Sequence, residues 1–157
     1  MSVGRLIRKN LLTNLKFRRM SEGSQLWLIG LIVTADDFGR GCGNPKLIMN
    51  ELSPLQDLDL TEAQRRLDEI AGTSMVIFYE DEGEKYYYFP CWFELQKFNS
   101  NCHIAPTQIP NPLTTPQKYI EGCMKICRYM LKKGYNDPDA SVPITDMFPG
   151  DWDTEDR

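Results

Sequence analysis

Four groups of residues in this chain have types and spacing that could do chemistry. Gln64, Arg65 and Arg66 stand together in a stretch of helical periodicity. Glutamine can bond adenine through two hydrogen bonds, and arginine can bond guanine in the same way, so the triplet suits base edges in a DNA major groove. Arg5, Arg8, Lys9, Lys16, Arg18 and Arg19 form a basic start with no acidic residue among the first 20. Such a set suits phosphate oxygens and would make binding strongly salt-dependent. Lys85, beside the carboxylates of an expected hairpin turn, is a further phosphate candidate. Cys102, His103, Cys123 and Cys127 could supply soft metal ligands, but their spacing matches no common zinc pattern. Asp37-Phe38-Gly39 matches the metal-binding triplet of kinases without the glycine-rich loop, strand lysine or catalytic loop that phosphoryl transfer needs. Asp36-Asp37 alone is a weak metal site, and a single histidine gives acid–base catalysis little material. The expectation is a protein that is not an enzyme and carries no cofactor or metal.

Size and charge narrow the class. A chain of 157 residues is long enough for one core and too short for two comfortable ones. The apolar run 26–35 falls far short of the roughly 20 residues needed to cross a bilayer, so no membrane partner is expected. The start lacks an apolar signal core, and five irregularly spaced cysteines then read as free thiols in a reducing compartment. Cytoplasmic localisation is the expectation. The net charge of −4 conceals blocks. Residues 1–20 carry six basic and no acidic groups, residues 50–84 ten acidic against Arg65 and Arg66, residues 85–133 seven basic against two acidic, and residues 134–157 seven acidic against one basic. Local fields of this kind steer association more than net charge does.

The positioning elements follow from pattern and punctuation. Residues 1–20 make a basic arm holding a short strand or helical turn. Ser21 or Ser24 caps a helix that runs to about residue 34 and is apolar on most sides, which predicts deep burial. Asp36-Asp37 and three glycines then make a turn. Asn44-Pro45 opens a short helix over 45–52, ended by Ser53-Pro54. Thr61 and Gln64 read as a capping box for a helix over 61–70, with Gly72 as its terminator. Residues 74–80 and 85–89 flank a glycine-containing turn and read as a β-hairpin. A helix over 92–98 follows, then a proline-rich linker over 99–116, an amphipathic helix over 117–134 and an acidic tail over 135–157. The globular domain is thus 21–98. The class is α+β, mostly α, and three helices followed by a hairpin wing is the order of a winged helix, here with an additional C-terminal helix.

The string WLIGLIVTADDFGRGCGNPKLIMNELSP, the helix LTEAQRRLDEI and the hairpin exit YYYFPCWFELQKF resemble the N-terminal winged-helix module of phage replisome organisers. These replication-initiation proteins are related to the bacterial primosome component DnaD. The resemblance spans about residues 5–112 and is carried most specifically by ADDFGR and the Asn-Pro helix start. It implies a winged helix that binds double-stranded DNA at a replication origin.

On this reading the helix 61–70 meets the major groove while the basic arm and Lys85 hold phosphates. The charge of the helix and hairpin supports an alternative: a module of the same fold whose acidic helix-and-wing surface docks, and regulates or inhibits, a host replication or regulatory protein. The stripe Tyr119, Ile120, Cys123, Met124, Cys127, Met130 and Leu131 is expected to pack back on the domain or to pair two chains in a homodimer. The charge blocks raise the hypothesis that the acidic tail shields a basic surface, which deletion of residues 134–157 would test by raising DNA affinity.

Overall fold

In a computed structural model, residues 4–97, 104–105, 107–112 and 117–132 are described. The chain is α+β, with a small three-stranded antiparallel sheet among its helices. The described part of the basic arm holds helical turns and no strand: a 3-10 turn over Lys9–Leu11 precedes α1 (Leu15–Arg19), whose N-terminal amides are capped by the Asn14 side chain. Helix α2 (Glu22–Thr34) has Ser21 at its N-cap and buries Trp27, Leu28, Leu31 and Ile32. Apolarity on most sides predicts deep burial, and the core side is deeply buried, but Leu26 and Val33 are 56% and 57% exposed, so one side of α2 faces out.

The glycine-rich segment after α2 contains a strand that its composition does not announce. β1 (Arg40–Cys42) pairs antiparallel with β3 (Glu84–Tyr88), which also pairs with β2 (Ile77–Asp81), giving the order β1-β3-β2. Gly41 is opposite Tyr87 in register, and a Cβ there would lie 2.3 Å from the tyrosine ring, so only glycine lets the aromatic ring lie across β1. The β2–β3 turn places Glu82 and Gly83 at φ 50° and 82°, the two left-handed residues of a two-residue hairpin loop whose twist matches its strands.

Helix α3 (Pro45–Leu52) starts where Asn44 caps the amides of Lys46 and Leu47. Helix α4 (Leu60–Ala71) is capped by Asp59, whose carboxylate accepts from the Glu62 amide; Thr61, expected as the cap, lies inside the helix. Gly72 is the C-cap in right-handed conformation, and the left-handed residue is Ser74. Apolar positions Ala63, Leu67 and Ile70 turn α4 into the core against α2 and α3. Helix α5 covers Trp92–Leu95, shorter than predicted because Gln96 is already extended. Its amide replaces further helix by bonding both the N–H and the C=O of Leu6 at 2.9 Å.

The last helix, α6 (Gln117–Lys132), packs back on the domain through buried Tyr119, Cys123 and Ile126. The described part of 99–116, read as a linker, contributes buried Ile104 and Thr107 and so belongs to the core. Cys102, His103 and the tail from residue 133 lie outside the described residues. Among the described residues no helix is long and apolar enough to cross a membrane.

Candidate nucleic-acid interface and the hub behind it

Helix α4 turns Thr61, Gln64, Arg65 and Asp68 outward. Two shallow grooves meet along this face. One runs between α4 and the hairpin, from Gly43 and Gln64 to Glu80 and Lys85; the other runs between α4 and the start of α3, from Lys46 to Arg65. Gln64 and Asp68 line both. Gln64 is exposed, and its Nε2 donates to Asp68 Oδ1 at 2.8 Å, a bond that uses one N–H and leaves Oε1 and the second N–H to other partners.

The two arginines of α4 part company. Arg65 is half-exposed and forks onto Glu62 at 2.7 and 2.8 Å and onto Glu69 at 2.9 Å. This pairing, with the Arg66 bond, holds the Glu62 carboxyl down to about 2. Such exposed pairs hold little free energy, so Arg65 can exchange its partners. Arg66 cannot. Its side chain is 11% exposed, bonded to Glu62 at 3.0 Å and laid 5.1 Å over the Trp27 ring, against Gly23. Glu69 in turn joins α4 to the N-terminus of α2, accepting from the Ser21 amide at 2.6 Å and from the hydroxyls of Ser21 and Ser24 at 3.0 and 2.7 Å. Burial opposes its charge, but these donors and Arg65 outweigh burial and hold its carboxyl below the ordinary range.

The basic arm divides as well. Arg5 is withdrawn from solvent: its guanidinium pairs with Asp37 at 2.8 Å, donates to the Ala35 carbonyl at 2.8 Å and lies over Trp92. Arg8 donates to the carbonyls of Leu95 and Glu94, and Lys16 to that of Thr73, each covering the free end of a helix. Lys9, Arg18 and Arg19 remain exposed without an ion pair among the described residues. Arg18 and Arg19 precede Ser21, which accepts from Arg65 at 3.4 Å, so they sit beside one flank of α4. Lys46 and Lys85, also exposed and without an ion pair among the described residues, stand on the other. Lys46 was not among the sequence candidates. Its signal was its place two residues after the Asn44 cap, at the mouth of a helix beside α4.

Behind this face, the ADDFGR turn is a buried hub. Asp36 accepts from the amides of Phe38 and Arg40 at 2.9 and 3.0 Å, and from the Thr107 hydroxyl. Asp37 accepts from the Ala105 amide at 2.7 Å, and its carbonyl receives the Trp92 indole N–H at 3.0 Å. Arg40 is fully buried; its guanidinium donates to the Tyr119 hydroxyl at 2.9 Å, the Ile109 carbonyl at 3.1 Å and Asn111 Oδ1 at 2.6 Å. The Tyr119 hydroxyl in turn donates to the Phe38 carbonyl at 2.7 Å. Beside it, burial pushes the Cys123 thiol up to about 12, which makes it an inert core thiol rather than a nucleophile. Local sequence shows the turn-forming aspartates but not that their acceptors reach residues about 70 positions away.

No family model, curated protein or solved structure matches this chain.

Proposed function

We propose that this chain is a winged-helix DNA-binding protein acting in replication initiation, with α4 as the helix that enters the major groove. The observation that carries the reading is the outward face of α4, continuous with grooves on both sides and flanked by Lys46 and Lys85 on one edge and Arg18 and Arg19 on the other. The order α2-β1-α3-α4-β2-β3, with β1 beside the hairpin, supports the winged-helix reading. In the proposed complex the flanking cations hold phosphates and fix register, while Gln64 and Arg65 approach base edges. The bond to Asp68 leaves Gln64 an acceptor and a donor, the pair that adenine N6 and N7 require. The proposed contact set leaves out Arg5 and Arg66, each held in an ion pair, and Arg8 and Lys16, which bond carbonyls of the fold at a different groove. The place in replication rests on the ADDFGR resemblance to phage replisome organisers.

Fluorescence anisotropy with duplex DNA over a salt series tests the proposal. Saturable binding that weakens steeply with salt is expected; no saturable binding at low salt would sink it. Arg65→Ala should lose about 1–3 kcal/mol on a preferred sequence, whereas Lys46→Ala should weaken all sequences alike.

A second reading has its own observation: Glu80, Asp81, Glu82 and Glu84 gather at the hairpin end against Lys85. A basic surface on a host protein would complement that end better than phosphates do. Glu82→Lys with Glu84→Lys distinguishes the two, strengthening DNA binding under the first and abolishing partner binding under the second.

A further inference from the structure

Between the basic arm and the body of the domain lies a groove of about 450 Å³, within the range of about 300–1,000 Å³ typical of sites that take a ligand or side chains. Leu6, Leu11, Met75 and Leu95 line it, and Arg8 and Lys16 sit among them. Both cations bond only neutral carbonyls, so no carboxylate among the described residues compensates their charge. Glu94, the acid at the groove, is already paired with Lys118 at 3.0 Å. The site is therefore apolar with uncompensated positive charge. It suits a segment that alternates carboxylates with large apolar side chains, and poorly suits a bare phosphate backbone.

We propose that the occupant is this chain's own residues 146–153, DMFPGDWD, with Met147, Phe148 and Trp152 entering the groove and Asp146, Asp151 and Asp153 facing Arg8 and Lys16. The arithmetic of reach permits it. Residues 133–145 span up to about 45 Å when extended, against a radius of gyration of about 13 Å for a domain of about 100 residues. α6 starts beside the groove, since Lys118 bonds the Glu94 that lines it, and its 16 residues put its far end about 24 Å away, within that span. The proposal stands apart from DNA binding and concerns a different surface.

Trp152 supplies the test. Trp27 and Trp92 are 0% exposed, so in the full chain only Trp152 can be quenched by acrylamide in solution unless it is docked. Trp152→Phe gives the background to subtract. The Trp152 signal is expected to be several-fold less quenchable than free tryptophan amide at low salt. That protection should be unchanged on dilution and lost in Asp151→Lys/Asp153→Lys. Lys16→Glu should also remove protection, and combining it with the two aspartate reversals should restore it. Full quenching of Trp152 in the unaltered chain would overturn the proposal. So would protection that fades on dilution, which assigns the groove to a second copy, or protection indifferent to both charge reversals, which places the tryptophan elsewhere.

Discussion

Arg40 has no contact with water, so every donor it carries needs an acceptor from the protein, and two distant segments, residues 109–111 and α6, supply them. Lysine keeps the charge but lacks the planar fork. Arg40→Lys should therefore strand at least one buried acceptor and lower stability by roughly 3 kcal/mol in urea denaturation. A loss within about 0.5 kcal/mol of zero would show the hub to be ornamental to stability. Gly39 is equally constrained: at φ 76°, a Cβ would lie 2.4 Å from Trp92, so Gly39→Ala combines left-handed strain with overpacking and should cost roughly 3 kcal/mol by the same measurement. Glu69 gives a dependence on pH with a definite sign. Its folded carboxyl is held below the unfolded value, so its contribution is present above the ordinary glutamate range and is lost as pH falls through the folded value. Stability curves of the parent and Glu69→Gln should diverge at neutral pH and converge in acid; parallel curves would contradict the assigned donors.

Elements were legible in proportion to how local their causes are. The α3 start is written in Asn44-Pro45, and the hairpin in a glycine turn between β-forming runs, because caps and two-residue loops are decided within a few residues. β1 was not legible. Its sequence, Arg-Gly-Cys, has no strand pattern, and it becomes a strand only by pairing with β3 more than 40 residues later. The same limit governed the interface candidates. Composition marked every cation of the arm and of α4 alike, but Arg5, Arg8, Lys16 and Arg66 find carbonyl, carboxylate or aromatic partners elsewhere in the fold. At the hairpin, glutamate occupies a left-handed position that asparagine tolerates better. Glu82→Asn should raise the melting temperature by a few degrees and remove one charge from the wing; an unchanged or lower melting temperature would refute the turn assignment.

At the scale of the molecule, α6 and residues 104–112 close over the body through Tyr119, whose ring packs on Tyr88 and Phe93 at 5.0 and 5.6 Å and whose hydroxyl bridges Arg40 to Phe38. Tyr119→Phe keeps the ring and deletes the bridge. It should cost about 1–3 kcal/mol and speed hydrogen exchange in α6 before it does so in α4; uniform protection in both helices would mean α6 is held by its apolar stripe alone. Of that stripe, Tyr119 and Cys123 are buried and Ile120 and Met124 half-buried, while Ile126, which the predicted stripe did not include, is buried with them. The hub also sets an order of events during synthesis. Arg5 and the ADDFGR turn leave the ribosome early, whereas the partners of Arg40 extend to Cys123. A nascent chain that has reached the hairpin therefore holds a guanidinium destined for the interior with its acceptors still unmade. Closure of the hub must be a late, long-range step, and the chain should acquire its full resistance to protease only after α6 has emerged.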